Sequence, residues 1–319
     1  MRQTTIDAEC FSSLYRSVIE LVISAGIPAS PRGMSTLEVR GVTMRLGNPR
    51  TRVLDVAGRI PNPAFAVAEA VWILSGSDAP WIYSYNEQLR RYADEDVLRG
   101  AYGPRIRRWG GRVDQLAMVR QLLSEQPDSR QAVVQIFDPA RDWSGAKDIP
   151  CTIGHRFLVR AGALHMHTSM RSQDVWLGFP YDVFSATVMQ EVMADWLGVQ
   201  VGEYVNHVDS LHIYQRDSEA ARAVGQTSAT VHAELDGELR TDYDQLDRTL
   251  AAVLDGQVQD LPEGWRSYAA VLASYRHWKQ GHRADALALA ETVSGPLHDA
   301  MLRWYAYLED RQRAPGRQQ

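Results

Sequence analysis

The feature that most restricts the fold is an apolar helical pattern set between strand patterns. Residues 180–197 place large apolar side chains four positions apart, and Gly198 follows where such a helix would end. Residues 155–159 and 164–170 precede it as two short strand patterns, and residues 200–208 follow it as a third. Strands and helices mixed in this way predict an α+β domain.

The chain changes character near residue 230. Four helical patterns follow, joined by short turns that contain glycine. They cover residues 243–254, 265–280, 284–293 and 296–311. We therefore predict a mixed domain over residues 1–230 and a helical C-terminal appendage over residues 231–319.

Composition restricts which binding partners and which cellular compartment can be expected. The net charge is −5 with acids and bases mixed along the chain, which argues against a nucleic-acid or membrane-surface binder. The two cysteines, Cys10 and Cys151, lie far apart, so the sequence favours a reducing cytoplasm over a disulfide framework. No apolar run approaches the length of a membrane span.

His165 and His167 share one strand face without a third ligand, so we predict no metal.

Cys151 is the strongest candidate for chemistry. Pro150 precedes it and a strand pattern follows it, which would fix its position at the mouth of a loop. The thiolate is the nucleophilic form, and nearby guanidinium groups would lower the pKa of this thiol. A lone cysteine is more often a small buried apolar residue, and that reading is kept for Cys10.

Two polar segments downstream strengthen the case for Cys151. Residues 170–182 read MRSQDVWLGFPYD, and residues 207–214 read HVDSLHIY. Their polar side chains fall at a strand end, at the turn before the helix and after a later strand. A scaffold presents side chains into a cleft at such places.

In chain order these motifs resemble those of the thymidylate synthase family. The downstream motifs are Pro150-Cys151, Arg171-Ser172-x-Asp174, Leu177-Gly178-x-Pro180 and His212-x-Tyr214. The upstream motifs are Arg32 with Thr36-Leu37, Glu69 before Trp72, Tyr102-Gly103 and Asp128-Ser129-Arg130. Each motif alone is weak, but the ordered series spans residues 12–215 and is specific. The resemblance implies the family's mixed sheet with flanking helices, a catalytic domain over residues 1–230, and a homodimer.

The resemblance also implies a catalytic task for several residues. Cys151 would add to C6 of a pyrimidine nucleoside monophosphate, so that C5 takes the methylene of the co-substrate, 5,10-methylenetetrahydrofolate. Tyr102 would assist removal of the C5 proton. Glu69 would organise the waters that carry protons to and from the base and the folate. Asp174 and Gly178 would lie with Glu69 on the folate side.

Nucleotide binding would use a second set of residues. The phosphate contacts would come from Arg32, Arg171, Ser172 and, donated across the subunit interface, Arg130. Arg171 would in addition polarise Cys151. His212 and Tyr214 would hydrogen-bond the sugar 3′-hydroxyl.

Asp182 departs from the family's pattern. At this position the synthases have an asparagine, whose amide donates to uracil O4 and accepts from N3–H. Cytosine reverses both groups, and a carboxyl that shares a proton with N3 would pair with it and make C6 more electrophilic. The wrong base would leave buried polar groups unpaired at about 1–3 kcal/mol each. The family's cytidylate and deoxycytidylate hydroxymethylases carry the same replacement, so Asp182 predicts a cytosine nucleotide.

Other departures concern water in the site. Residues 85–96 lack the tryptophan pair that shields the folate in synthases, and the segment APGRQQ lacks their apolar tail. Thr152 replaces a histidine often found after the nucleophile, and Gln131 replaces the second arginine of the phosphate pair. A wetter cavity would let water add to the one-carbon group, which gives hydroxymethyl instead of methyl.

The leading hypothesis is a folate-dependent 5-hydroxymethyltransferase that acts on dCMP or CMP. One alternative is a methyltransferase of the thymidylate synthase type, acting on dUMP or on the cytosine nucleotide. An alternative of another class is a non-catalytic nucleotide-binding or RNA-binding relative. The presence of Cys151, Arg171 and Glu69 argues against this last alternative.

Overall fold

The computed structural model describes residues 4–143, 145–225 and 234–313. Its strands are β1 (Thr4–Ala8), β2 (Ile27–Ala29), β3 (Thr36–Leu46), β4 (Val133–Gln135), β5 (Thr152–Arg160), β6 (Ala163–Met170), β7 (Gln173–Asp174) and β8 (Gln200–Tyr214). Its α-helices are α1 (Phe11–Ala25), α2 (Pro63–Leu74), α3 (Tyr102–Arg107), α4 (Gln115–Glu125), α5 (Pro139–Asp142), α6 (Phe179–Leu197), α7 (Ser218–Gly225), α8 (Leu246–Asp255), α9 (Glu263–Lys279), α10 (Arg283–Ala290) and α11 (Gly295–Arg313).

These strands form one mixed sheet. Its path runs β1-β3-β8-β6-β5-β4, with β2 paired to β3 and β7 paired to β8. β5 and β6 make an antiparallel hairpin whose turn residues, Ala161 and Gly162, both have positive φ. β8 lies between them and β3, parallel to β6 and antiparallel to β3. The α+β prediction is confirmed.

Helix α6 lies against this sheet and is buried on most of its circumference. The helix ends at Gly198, which adopts φ 65° and donates its N–H to carbonyls of the last turn. The helix packs between β6 and β8 on one side and α2 and α4 on the other. Its Gln190 amide donates to three carbonyl oxygens, including those of Leu164 and Gly202 at 2.9 Å each. These bonds fix α6 on the strands that carry the candidate site.

The beginning of the chain differs from the sequence pattern. An amphipathic helix over residues 7–25 is expected from periodicity, but Thr4–Ala8 is strand β1 and the helix begins at Phe11. β1 pairs in parallel with β3, so that Thr4 lies beside Val42. That strand depends on a partner almost forty residues away, which local periodicity does not reveal.

The C-terminal helices pack directly on the predicted catalytic unit. Helices α8, α9 and α11 all contact α2, and the buried side chains of both parts form one hydrophobic core. Two arginines, Arg50 and Arg52, pair with the buried carboxylate of Glu191. Arg50 also donates to the carbonyls of Leu235 and Gly237, at 2.7 and 2.9 Å. The boundary at residue 230 stays a prediction, and it falls outside the described residues, as does APGRQQ.

Candidate active site

Cys151 lies immediately before β5, where this strand meets the end of β6. The N–H of Arg171 donates to the Cys151 carbonyl at 2.9 Å, so the two residues are neighbours across the hairpin. The Arg171 guanidinium turns back to the loop before the nucleophile and donates to the carbonyls of Ile149 and Pro150, each at 2.9 Å. Arg171 therefore holds the loop that carries the thiol.

The pKa of the Cys151 thiol is raised in this structure. Burial has the largest effect, Arg171 and Arg32 oppose it, and the carboxylates of Asp182 and Asp148 add to it. The guanidinium groups act in the direction that the sequence predicts, but the prediction of a lowered pKa is wrong because desolvation is larger. Since a thiolate is the nucleophilic form, the thiol must lose its proton when the site is in use.

A cluster of polar groups forms the other end of the cleft. The Ser172 hydroxyl lies 3.5 Å from Nδ1 of His212, and the His212 ring meets Tyr214 edge to face at 5.3 Å. Arg32 precedes β3 at a positive φ of 52°. Burial raises the pKa of both Cys151 and Tyr214, and the charge of Arg32 partly offsets that rise. The sheet thus brings these predicted nucleotide-binding residues to one place.

Asp182 stands in the first turn of α6 and is held by a residue that the sequence patterns did not single out. Nε2 of Gln173 donates to Oδ2 of Asp182 at 2.6 Å, and Nδ2 of Asn206 donates to Oε1 of Gln173 at 3.3 Å. Gln173 and Asn206 are each only 1% exposed. Burial raises the pKa of the Asp182 carboxyl to about 6, the Gln173 bond opposes that rise, and Asp174 adds to it.

Glu69 and Tyr102 complete the reactive end. Glu69 is on α2, where burial and the charge of Asp182 raise the pKa of its carboxyl to about 8. The hydroxyl of Ser185 acts in the opposite direction. Two carboxyls with raised pKa values therefore lie close together, and neither is fully ionised near neutrality. The Tyr102 hydroxyl accepts a hydrogen bond from the N–H of Thr152 at 3.3 Å, next to the nucleophile.

Asp174 and Gly178 form the start of the turn into α6. Oδ1 of Asp174 accepts from the backbone N–H groups of Trp176 and Leu177, at 2.8 and 3.0 Å. Gly178 lies over the Gln173–Asp182 hydrogen bond, since a Cβ there would come within 3.1 Å of Oδ2 of Asp182. A side chain at this position would press on Oδ2 of Asp182, so the close approach favours a glycine.

A small cavity extends inward from Asp182. Its apolar lining is Ile73, Met170, Ala186 and Met189, and its polar lining is Tyr102, Thr152, His155, Thr168, Asp182, Ser185 and Tyr204. His155 hydrogen-bonds the Thr168 hydroxyl at 2.9 Å, and burial lowers the pKa of this imidazole to about 3. The imidazole is therefore neutral, and the cavity walls offer hydroxyl groups and a carboxyl to water.

Arg130 is the predicted site residue that the fold does not bring to Cys151. Arg160, at the far end of β5, donates to the Asp128 carbonyl at 3.2 Å, which ties the Arg130 loop to that end of the strand. β5 has nine residues. At roughly 3.3 Å per residue the two ends lie about 27 Å apart. Arg130 and Cys151 of one chain therefore cannot share a bound mononucleotide.

Two histidine groups lie outside this site. His167 contacts His207 at 3.3 Å on the sheet, and within the described ranges no acidic or further histidine ligand completes a group of three there. The spacing of His277, His282 and Asp285, on the turn between α9 and α10, would suit a metal ion. Neither group includes a residue of the Cys151 cleft.

Comparison with known proteins agrees with this arrangement. The family model described as thymidylate synthase matches residues 13–251. Deoxyuridylate hydroxymethyltransferase of Bacillus phage SP01 is 36% identical in an alignment of 220 positions that covers 65% of this chain and 57% of that protein. The chain thus spans little more than half the length of this relative. The family match extends over most of the sequence and contains every residue of the cleft described above, so the chain belongs to the thymidylate synthase family.

Proposed function

We propose that the chain is a one-carbon transferase that converts dCMP or CMP to its 5-hydroxymethyl form, with 5,10-methylenetetrahydrofolate as co-substrate. The observation that carries the proposal is the carboxyl of Asp182 at the base-reading position. Its pKa of about 6 lets it exist with or without a proton near neutrality. A group of this kind pairs with an amino group and a bare ring nitrogen, the two groups that distinguish cytosine from uracil.

The chemistry assigned to the chain's residues starts at Cys151. Its sulfur bonds to C6 of the base, and the electrons of the C5–C6 double bond move to C5, which becomes the nucleophile. The folate supplies one carbon at the oxidation level of formaldehyde and leaves as tetrahydrofolate. Loss of the C5 proton towards Tyr102 and its waters leaves an exocyclic methylene, water adds there, and the S–C6 bond breaks. The net reaction consumes one water, transfers no hydride and produces no dihydrofolate.

Proton transfer in this scheme relies on Glu69. Because its pKa is about 8, the carboxyl is mostly protonated at neutral pH and can donate a proton as well as accept one. Its neighbour Asp182 reinforces this state by electrostatic repulsion. A pair of carboxyls with separated pKa values is typical of sites that carry out acid and base steps in one reaction.

Water addition needs space beside the nucleophile, and the small cavity next to Asp182 supplies it. Thr152 and Tyr102 line it next to the nucleophile, and a histidine at position 152 would fill part of this space. The absence of tryptophan from residues 85–96 points in the same direction, since Tyr92 in that segment is 50% exposed. These features support hydroxymethyl over methyl as the product.

The residues present are compatible with the folate. Asp174 uses Oδ1 to order the turn before α6, and within the described residues Oδ2 has no hydrogen bond. That oxygen would serve as the acceptor for the N–H groups of a pterin, with Glu69 and Gly178 beside it. The chain's part is to orient the pterin and to hold the waters around Glu69.

A second candidate substrate is deoxyuridylate, because the phage relative is named for it. In that case Asp182 would have to be protonated to donate to uracil O4. Its pKa of about 6 leaves the carboxyl mostly ionised at pH 7, which favours cytosine. Parallel assays with dCMP, CMP and dUMP separate the two candidate bases. They also show whether the enzyme prefers a ribose or a deoxyribose.

The alternatives of methyl transfer and of mere binding have a direct test. Tritium release from a cytosine nucleotide labelled at C5 reports breakage of the C5–H bond. The Cys151→Ser variant is the control for release that does not depend on the nucleophile. We expect folate-dependent release without the absorbance of dihydrofolate. Appearance of dihydrofolate would establish methyl transfer, and nucleotide binding without release would establish the non-catalytic reading.

We further propose that the enzyme is a homodimer. One face of the sheet is only half-covered in the described chain, and it presents Arg156, Leu158, His165 and His167 from β5 and β6. A second copy on this face would bury it. Such a copy would also carry its own Arg130 towards the phosphate end of the first copy's site, which the same-chain Arg130 cannot reach.

A further inference from the structure

The hydrogen-bonded chain Asn206–Gln173–Asp182 has a single polarity that bears on base selection. Each amide donates towards the carboxyl: Nδ2 of Asn206 to Gln173, and Nε2 of Gln173 to Oδ2 of Asp182. A primary amide has donors on one side and an acceptor on the other, so the orientation of one amide fixes that of the next. The side chain that faces the base is thus oriented from β8, through Gln173.

We propose that Gln173, oriented by Asn206, is a positioning residue that keeps Oδ2 of Asp182 a hydrogen-bond acceptor and so selects a base with an amino group. The inference rests on the proposed function, since it assumes that Asp182 reads the base. A carboxylate oxygen has two acceptor sites, so Oδ2 can take Gln173 and one amino N–H together. The proton shared with the ring nitrogen is then confined to Oδ1.

The surroundings make this arrangement rigid. Gln173 and Asn206 are almost fully buried, and Gly178 covers the hydrogen bond between Gln173 and the Asp182 carboxyl. Water therefore cannot readily replace either amide. Nδ2 of Asn206 has a second contact, with Sδ of Met170 at 3.5 Å, which favours the same orientation. Uracil, which offers a carbonyl oxygen in place of the amino group, would face an acceptor.

The test compares kcat/KM for dCMP and dUMP in single and double variants. Gln173→Met removes the donor to Oδ2 at nearly constant volume, and Asn206→Leu leaves the Gln173 amide free to turn. We expect the preference for cytosine to fall about tenfold in each, as for one unpaired buried group. The pH dependence that belongs to Asp182 should move to higher pH in Gln173→Met, because a donor to the ionised form is lost.

Asn206→Asp tests the polarity itself. An aspartate at position 206 can only accept from Gln173, which turns the carbonyl of that amide towards Asp182 and places a proton on Oδ2. We expect this variant to lose more of the cytosine preference than Asn206→Leu does. Gln190→Met is the matched control, since Gln190 is equally buried but donates to backbone carbonyls. It should lower the melting temperature and leave the dCMP to dUMP ratio unchanged.

Asp182→Asn separates the inference from the proposed function. With Gln173 present, the amide introduced at position 182 would keep its oxygen towards Nε2 of Gln173 and the C4 substituent and turn its N–H₂ group to the ring nitrogen. This arrangement still suits cytosine, so the ratio should change little. In the double variant with Gln173→Met the amide at position 182 is free to turn, and the ratio should shift towards dUMP by about tenfold to a hundredfold. If Asp182→Asn shifts the ratio as far alone as in the double variant, while Gln173→Met and both Asn206 variants leave it unchanged, the inference is overturned and the proposed function stands. If neither Asp182→Asn nor the double variant shifts the ratio, both are overturned.

Discussion

Two carboxyls with unequal environments dominate the chemistry at the residue scale. Glu69 and Asp182 lie in the same cleft, with pKa values raised to about 8 and about 6. Desolvation is the main cause for both, and the Ser185 hydroxyl opposes it at Glu69 as the Gln173 hydrogen bond does at Asp182. Because these residues repel each other when charged, their titrations belong to the pair.

Glu69→Gln should remove an alkaline limb from the activity profile. In the native enzyme the protonated form predominates below about pH 8, so kcat/KM should fall as pH rises through that value. The variant should be slower by about a hundredfold or more and should lack the additional fall near pH 8, while it keeps the pH dependence that Asp182 causes. Measurement of kcat/KM from pH 6 to 9.5 checks this, and an unchanged limb in the variant would assign it to another group.

Binding of a cytosine nucleotide should take up a proton above pH 6. Free Asp182 is mostly ionised there, whereas the complex shares one proton between the carboxyl and the ring nitrogen. Affinity should therefore weaken with rising pH, by up to about tenfold per unit. Calorimetry in two buffers of different ionisation enthalpy measures the uptake. Asp182→Asn should show none, and a native enzyme without uptake would argue against the shared proton.

The residues of the cleft differ in how far the sequence predicts them. Cys151, Arg171 and the residues around His212 follow from the order of short motifs, and the structure places them together. The sequence does not single out Gln173, because it stands between motif positions and its partner Asn206 lies 33 residues further on. The sequence predicts the wrong sign for the pKa shift of Cys151, because it shows neighbouring charges more readily than depth of burial.

At the scale of elements, one ion cluster joins the C-terminal segment to the catalytic helices. Glu191 on α6 binds Arg50 and Arg52, and the N–H of Leu239 donates to the same carboxylate at 3.2 Å. Arg52 is only 1% exposed, so its charge depends on this partner. The cluster is absent from any local pattern, since its members are about 140 residues apart.

Glu191→Ala should therefore destabilise the whole chain strongly. It would leave the fully buried guanidinium of Arg52 without its counter-ion, whereas Arg50 would keep Glu234, at a cost of about 3–5 kcal/mol in the free energy of unfolding. Urea denaturation measures the change. Glu219→Ala, an exposed glutamate on α7, should stay within about 0.5 kcal/mol of the native chain. Equal effects of the two substitutions would show that the cluster does not hold the elements together.

Helices are easier to predict than strands in this chain for a physical reason. α6 and α9 carry their own period and end near the expected residues, with Gly198 stopping the first. β1 has no such signal, because its bonds come from β3 across the sheet. In the described ranges no helix is long and apolar enough to cross a bilayer.

At the scale of the whole molecule, the proposed site needs two copies of the chain. Cys151→Ser and Arg130→Ala should each be poorly active alone. A mixture that exchanges subunits should regain activity, because one hybrid site combines an intact Cys151 with the partner's Arg130. Sedimentation checks that dimers form, and exchange without recovery would place the action of Arg130 within its own chain.

The division of the chain into two units is hard to predict from sequence. The sequence pattern becomes helical after residue 230, yet the helices of that part pack on α2 and share its core. The family match also continues to residue 251. Periodicity detects where patterns change, whereas packing across a boundary depends on contacts that only the folded chain reveals.

The central claim is tested most directly by a competition assay. Equal amounts of dCMP, CMP and dUMP are given to the native enzyme with methylenetetrahydrofolate, and the nucleotide products are identified by mass spectrometry. The account predicts a 5-hydroxymethylcytosine nucleotide as the main product, with none formed by Cys151→Ser. A main product on uracil, or a methyl group in place of hydroxymethyl, would contradict it.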